Sequence, residues 1–170
     1  MKERKTESFT FRVFQAKPED AVGISALYKQ VLDDYREVLP EELIDSRQPS
    51  PIQVKDRLRR YTHYVAKTGN QIIGVVGCSL VHGTCMLKHM VVDQRYQRRG
   101  VGTALTRQVI DFARKNNVTK VWLDTVPIFS EAISLYHKLG FRKSGTLRQH
   151  FWGADVELYE LILTEYYHSQ

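Results

Sequence analysis

Cysteine is scarce in this sequence, with only Cys78 and Cys85 among 170 residues. Two thiols are too few for the disulfide framework that stabilises many small secreted domains, and a chain of this length can bury a core without one. With His82 and His89 they form a C-x3-H-x2-C-x3-H spacing that resembles a zinc site. If residues 81–84 turn a hairpin, however, His89 lies about 13 Å further along its strand. We therefore expect two reduced, partly buried thiols and no metal.

Long apolar runs are also lacking. No segment approaches the roughly 20 apolar residues of a membrane-spanning helix, and no apolar stretch follows the basic residues Lys2, Arg4 and Lys5 as it would in a signal peptide. We expect a polar tail at residues 1–8, one domain at residues 9–170, no membrane contact and a cytoplasmic location.

Acidic residues are outnumbered by basic ones, which gives a formal net charge of +6. Such a balance favours an anionic partner through the long-range field, but it does not identify the anion. Nucleic acid and a phosphorylated cofactor both remain compatible with the charge.

The spacing of apolar residues predicts alternating strands and helices. Strands with alternating or continuous apolar character are expected at residues 9–13, 64–67, 72–81, 86–92, 121–125, 142–147 and 156–163. A first helix should begin near Glu19 and bury Val22, Ala26, Leu27 and Val31 on one face. Further helices are expected at residues 41–45, 51–61, 100–116 and 130–140, where prolines and glycines mark several of the ends.

A short polar loop lies between the apolar strand that ends at Val92 and the amphipathic helix that Gly100 and Gly102 open. Exposed backbone N–H groups at a helix start, with the positive end of the helix dipole, bind phosphate, and glycine lets the phosphate come close. Arg98 and Arg99 add positive charge for further phosphates. This order predicts a phosphate site without naming the compound.

Two segments resemble the signatures of the GNAT acetyltransferases. V-x4-Q-R-R-G-V-G-T at residues 92–103 resembles their cofactor motif, and A-I-S-L-Y-H-K-L-G-F at residues 132–141 resembles their second signature. The resemblance implies an α/β (α+β) fold with a mixed, mostly antiparallel central sheet of about seven strands and about four flanking helices. It also implies acetyl-coenzyme A (acetyl-CoA) as acyl donor and a primary amine as acceptor.

The resemblance assigns cofactor binding mainly to backbone groups. Those of Met90, Val91 and Val92 would bind the thioester carbonyl and the pantetheine arm. The N–H of Met90 would stabilise the developing oxyanion, an effect worth about 3 kcal/mol per donor. The pyrophosphate would lie on the amides of Gln97, Arg98, Arg99, Gly100, Val101, Gly102 and Thr103.

Two side chains correspond to catalytic positions of the family. Tyr136 matches the tyrosine that protonates the departing thiolate, although its spacing from Ile133 and Leu139 also fits a core aromatic residue. Asp124 lies where related N-terminal acetyltransferases often carry a glutamate, and it would act as the base through water. A chain of water molecules, or an aspartate that only caps a loop, is the alternative.

The sequence departs from the family at two places. Phe129 replaces a cofactor-binding asparagine, so Ser130 either substitutes for it or caps the following helix. Met86 replaces the glutamate that histone-type members use as base, which makes a histone-like substrate doubtful. Strand alternation places His89 opposite in phase to Met86, Lys88 and Met90, so we interpret His89 as a packed residue and not as the base.

The acceptor is expected between the first helices and the last hairpin, near Leu32, Tyr35 and Trp152. A small amine and a peptide N-terminus both fit, and direct transfer needs no covalent intermediate; a homodimer is possible. One alternative is a nucleic-acid-binding module that uses Arg95, Arg98 and Arg99, although we expect no nucleic acid partner because no reading helix is recognisable. The other alternative is a noncatalytic acyl-CoA sensor with the same fold.

Overall fold

The computed structural model describes residues 9–164. The predicted tail at residues 1–8 lies outside the described residues, as do positions 165–170. One seven-stranded sheet has the order β1-β2-β3-β4-β5-β7-β6. Its strands are β1 Arg12–Gln15, β2 Thr62–Thr68, β3 Gln71–Val81, β4 Thr84–Val92, β5 Lys120–Thr125, β6 Arg142–Phe151 and β7 Ala154–Ile162. All neighbouring strands are antiparallel except β4 and β5, which confirms the predicted mixed, mostly antiparallel sheet.

Helices cover both faces of this sheet. Five α-helices are described: α1 Ala21–Asp33, α2 Glu41–Arg47, α3 Pro51–Arg60, α4 Val101–Lys115 and α5 Ser130–Lys138. One buried cluster joins α4 to the sheet through residues such as Leu105 and Val109. A second cluster joins α1 and α3 to the opposite face through Ile24, Tyr28 and Val54. Within the described residues, no helix has the length and apolar character needed to cross a membrane.

The buried face of α1 differs from the predicted one. Leu27 and Val31 are buried as expected, but Val22 is 67% exposed and Ala26 faces solvent. Ile24 and Tyr28 lie against the sheet instead. The helix begins at Ala21, and its buried residues follow the i, i+3, i+4, i+7 spacing from Ile24, so a face predicted from Val22 is rotated away from the core.

Strand β4 contains a β-bulge at His89. Val75 pairs with Val91 and Gly77 pairs with Lys88, so two residues of β4 lie opposite Val76 alone. His89 accordingly adopts a left-handed conformation with φ of 49°.

The bulge reverses the alternation of side chains along β4. Before it, Cys85 and Leu87 pack in the cluster under α4, and after it Met90 and Val92 do so. Lys88 lies on the opposite face, with its Nζ atom 5.0 Å from the ring centre of Tyr61. His89 lies on the side of Lys88, against Arg47 of α2. The predicted phase, with Met90 alongside Lys88 and His89 opposite them, is therefore wrong.

Strands β4 and β5 separate soon after they begin. Only Cys85 with Val121 and Met86 with Trp122 are paired between them. Beyond these pairs the two strands diverge toward their carboxyl ends, and a cleft opens in the middle of the sheet.

Candidate active site

A cavity of about 690 Å³ occupies the cleft between β4 and β5. Helices α1 and α2 supply one wall of this cavity, and the start of α4 together with α5 supplies the other. Most of the predicted site residues line it: Leu32, Tyr35, Met90, Val91, Val92, Gln97, Arg98, Gly100, Gly102, Thr103, Asp124, Ser130 and Tyr136. The two motifs found in the sequence thus meet in one place.

Three predicted residues do not line the cavity. The guanidinium of Arg99 lies 5.1 Å from the ring centre of Phe9. Val101 is buried in the core beneath α4, so only its backbone remains in the loop. Trp152 stands in the turn between β6 and β7 with φ of 48° and is 54% exposed. The structure does not bring its indole ring into the site.

The loop before α4 presents a row of free backbone donors. Arg98 and Gly100 both have positive φ, at 59° and 85°, and the first backbone hydrogen bond of the helix runs from Ala104 to Gly100. Within residues 9–164, the amides from Arg98 to Thr103 have no backbone or side-chain acceptor. Successive N–H groups of this kind form a concave anion site at the positive end of the helix dipole.

Two further contacts fix this loop. The Gln97 side chain donates a 3.0 Å hydrogen bond to the carbonyl of Val92. Gly74 lies under the start of α4, where an added Cβ would be 2.9 Å from side-chain atoms of Val101 and Leu105. The missing side chain therefore lets the helix approach the sheet closely, which sets where its first amides lie.

Asp93 supports the loop from within, a role that the sequence did not reveal. Its side chain is 1% exposed and accepts hydrogen bonds from the Arg95 backbone at 3.0 Å and from the Arg95 guanidinium at 2.6 Å. These hydrogen bonds from Arg95 lower the pKa of Asp93. Arg95 is thus engaged with Asp93 within the chain.

Tyr136 is held in the wall of the cavity. It is 4% exposed, and its ring centre lies 5.6 Å from that of Phe141. Its hydroxyl group forms no hydrogen bond with another described residue, and the oxygen is not fully enclosed by the protein. Burial, and secondarily the negative charge of Asp124, raise its pKa above the ordinary value. The phenol is therefore neutral at physiological pH and has a proton to donate.

Ser130 and Phe129 start α5 in an unexpected way. Ser130 is the first residue of the helix, and no side chain caps its N-terminus. The capping role predicted as one alternative for Ser130 is therefore wrong, while its side chain lines the cavity. The Phe129 ring meets that of Tyr35 edge to face at 4.9 Å, so the loop after β5 touches the segment after α1.

The wall formed by α1 and α2 contains a set of polar contacts around His89 that the spacing of residues in the sequence did not predict. Arg47 Nη1 lies 3.2 Å from His89 Nδ1, and the Tyr28 hydroxyl donates a 2.7 Å hydrogen bond to the His89 carbonyl. Burial, followed by the charges of Arg47, Arg57 and Lys88, lowers the pKa of His89 to about 3. Since a guanidinium only donates, Nδ1 of the neutral ring accepts and Nε2 carries the proton. His89 in this state has no free lone pair for use as a base.

The cysteine and histidine spacing does not form a cluster in the described part of the chain. Cys78 and Cys85 are free and buried in the core under α4, whereas His82 stands exposed in the β3–β4 turn with φ of 46°. Across residues 9–164, no group of three or more histidine, cysteine or acidic side chains is placed to hold a metal ion.

Comparison with known proteins agrees with this geometry. Human N-acetyltransferase 8B is 34% identical over 102 residues, which cover 56% of this chain and 45% of that protein. The N-alpha-acetyltransferase RimI of Mycobacterium tuberculosis is 31% identical over 106 residues, covering 59% of this chain and 65% of that protein. The chain thus matches about half to two thirds of the length of these relatives.

A likeness in fold extends further along the chain. The PaiA N-acetyltransferase of Thermoplasma acidophilum, solved in complex with coenzyme A, superposes with a TM-score of 0.75 at 15% identity. That match covers 88% of this chain and 98% of the other. The family model described as the acetyltransferase (GNAT) family matches residues 24–141, which include both sequence signatures and most of the cavity wall. The chain therefore belongs to the GNAT family of acetyltransferases.

Proposed function

We propose that this protein is an N-acetyltransferase that uses acetyl-CoA to acetylate a primary amine, either of a small molecule or of a peptide N-terminus. The observation that carries the proposal is that one cavity brings together the free amides from Arg98 to Thr103, the neutral phenol of Tyr136 and the carboxylate of Asp124. The named relatives and the coenzyme A complex of a similar fold support the same activity.

The residues present fit the acyl donor. The amides before and within the first turn of α4 would bind its pyrophosphate, and Gly102 keeps the surface open there. The diverging ends of β4 and β5 leave room for the pantetheine arm beside Met90, Val91 and Val92. Acetyl-CoA itself supplies an activated acyl thioester.

The catalytic roles follow from position and protonation state. Asp124, at the end of β5, would take a proton through water from the ammonium group of the acceptor, which leaves the neutral amine to attack the thioester. The Met90 N–H, in the bulged part of β4, would stabilise the negative charge that develops on the thioester oxygen. Tyr136 would then give its proton to the coenzyme A thiolate. Direct attack in this arrangement needs no covalent intermediate on the protein.

The direct test incubates the protein with acetyl-CoA and a pooled library of amines and short peptides, following thiol release and product masses. Acetylated amines together with stoichiometric free coenzyme A are the expected result. Coenzyme A binding without turnover on any amine would favour a noncatalytic sensor. Salt-sensitive binding to DNA without coenzyme A binding would favour a nucleic-acid-binding module.

A further inference from the structure

Three basic side chains surround His89 without an acidic partner. Arg47, Arg57 and Lys88 all contribute to the lowered pKa of His89, so their charges lie close to its ring. In the described part of the chain, none of them lies within 4 Å of a carboxylate, whereas Lys67, Arg95, Lys120 and Lys143 are each paired with one. Positive charge is thus concentrated beside the acceptor wall of the cavity.

Arg47 presents this charge to the cavity. It lines the wall formed by α1 and α2, and its guanidinium is held between His89 and the Phe151 ring, whose centre is 5.4 Å away. Its only hydrogen bond in the described structure is that to His89 Nδ1. Because a guanidinium has five N–H donors, most of them remain available to a ligand.

Arg57, on helix α3, adds to the positive charge around His89. Its Nη2 group donates a 3.3 Å hydrogen bond to the Ser46 carbonyl, but its Nη1 atom is buried with no hydrogen-bond partner in the described structure. Partly buried positive charge without a counterion is unfavourable, and a bound anion relieves that cost. The surroundings of His89 are therefore arranged to accept an anionic group.

We propose that Arg47 binds a carboxylate of the acceptor, so that the amine acetylated at this site belongs to an amino acid or a small amino-acid derivative. The inference rests on the proposed function and deepens it. Planar guanidinium and carboxylate groups match in a bidentate pair, and a carboxylate is the anionic group that an amino acid carries beside its amine.

The distances suit such a molecule. The path from the Met90 nitrogen through the His89 backbone and side chain to Arg47 Nη1, which includes the 3.2 Å contact at Nδ1, adds up to about 10.5 Å, so the two nitrogens lie no farther apart than that. A single amino acid bridges that span when its amine points to the reacting centre and its carboxylate to Arg47. Asp124 lines the other side of the cavity, so the two ends of the site carry the charges that attract a zwitterion.

The test compares matched acceptors on the intact protein with saturating acetyl-CoA. Each of the twenty free L-amino acids is assayed beside its C-terminal amide and its decarboxylated amine, and kcat/KM is measured by thiol release with product masses. At least one free acid should exceed its own amide and amine by about 10- to 100-fold, the worth of a charge-assisted bidentate pair. Equal turnover of acid, amide and amine, or a preference for the amide or the amine, overturns the inference while the acetyltransferase activity stands. No turnover of any of these acceptors also overturns the inference, and the pooled library of amines and peptides then decides whether the acetyltransferase activity stands.

Variants of Arg47 test whether this residue causes the preference for the free acid. Arg47→Gln should raise KM for the preferred acid about 10- to 100-fold, leave its amide unchanged and leave the Kd of coenzyme A unchanged. Arg47→Lys keeps the charge but lacks the planar guanidinium that donates two parallel hydrogen bonds, so it should recover only part of the preference. Arg59→Gln, which removes a charge from a side chain 79% exposed on α3, is the matched control and should match the original protein. If Arg47→Gln does not fold, the acid-to-amide ratio of the original protein and of Arg47→Lys decides. An undiminished ratio in either Arg47 variant refutes the assignment.

Discussion

The hydroxyl group of Tyr28, on helix α1, donates a 2.7 Å hydrogen bond to the backbone carbonyl of His89 in the bulge of β4. Tyr28 is 2% exposed, and burial raises its pKa, so the phenol keeps its proton and remains a donor. One buried side chain thus connects the helix on the acceptor wall to the irregular segment that carries Met90.

Replacing Tyr28 with phenylalanine should lower the free energy of unfolding by about 1–2 kcal/mol, because the His89 carbonyl loses a buried donor. It should also lower kcat, since the bulge that orients the Met90 N–H loses a support. Urea titration and steady-state kinetics measure the two effects. Tyr96→Phe, which removes an exposed 3.3 Å contact to Gln71, serves as control and should change neither quantity appreciably. Full kcat in Tyr28→Phe would mean that the hydrogen bond matters for folding alone.

Tyr136→Phe should lower kcat by about 10²- to 10⁴-fold when chemistry is rate-limiting, because the variant has no proton to give to the thiolate. The ring and its packing on Phe141 are retained, so coenzyme A affinity should persist. Since the pKa of Tyr136 is raised, its deprotonation should cause no fall in kcat of the original protein up to pH 10. Tyr159→Phe, another buried tyrosine of the same cluster, is the control and should retain kcat. An unchanged kcat in Tyr136→Phe across pH would leave the residue with a packing role only.

Asp124→Asn should lower kcat/KM for the amine while the Kd of coenzyme A stays unchanged, since the variant cannot accept a proton but keeps its size. The negative charge of Asp124 raises the pKa of Tyr136, so the same substitution should lower that pKa. Tyrosinate absorbance during alkaline titration, compared with that of Tyr136→Phe, follows the shift. Asp111→Asn on the exposed side of α4 provides the control. If Asp124→Asn turned over normally, water molecules alone would have to carry the proton.

A large side chain at Gly102 should weaken coenzyme A binding more than Arg98→Ala does. A Cβ at Gly102 would lie 3.5 Å from Leu135 and within 4 Å of Val92 and Met90, so alanine fits while leucine extends into the cleft. We expect Gly102→Leu to raise the Kd at least about tenfold by blocking the amides, whereas Arg98→Ala removes only an added charge. Isothermal titration gives both constants, with Gly102→Ala as the mild control. The reverse ranking would move the main binding energy to the arginine.

Asp93→Asn should lower the free energy of unfolding at pH 7 by about 2 kcal/mol, because the hydrogen bonds from Arg95 lose a charged acceptor. The pKa of Asp93 is lowered in the folded protein, so its contribution is complete above the unfolded value of about 3.9 and is lost as pH falls through the folded value. The difference between the two proteins should therefore shrink toward pH 3. Urea titrations at pH 7 and pH 3 measure it, with Asp111→Asn as an exposed control. A difference that does not depend on pH would contradict this account.

Much of the site was predictable because two of its parts are local in sequence. The loop before α4 and the signature that contains Tyr136 each derive their properties from neighbouring residues, such as Gly100 with its positive φ. The position of Asp124 at the end of β5 followed from the apolar residues that predicted a strand at residues 121–125. These features do not depend on distant packing.

The acceptor wall was not predictable in the same way. No glycine or proline marks the bulge at His89, so simple alternation gave the wrong face for His89 and Met90. Arg47 reaches His89 across 42 positions of sequence, and neither residue stands in a motif. The buried face of α1 depends on how the helix packs on the sheet. The periodicity of apolar residues fixes the position of that face only to within about one residue, so the prediction from Val22 missed it.

The extra residue in β4 also bears on how this gene can change length. A deletion of the codon for His89 would remove the bulge and restore regular alternation across the strand. Lys88 would then be followed directly by Met90, so Leu87, Met90 and Val92 would keep their places under α4, while the contacts of His89 with Tyr28 and Arg47 would be lost. We expect such a deletion to spare the core of the fold but to disturb the segment that orients the Met90 N–H.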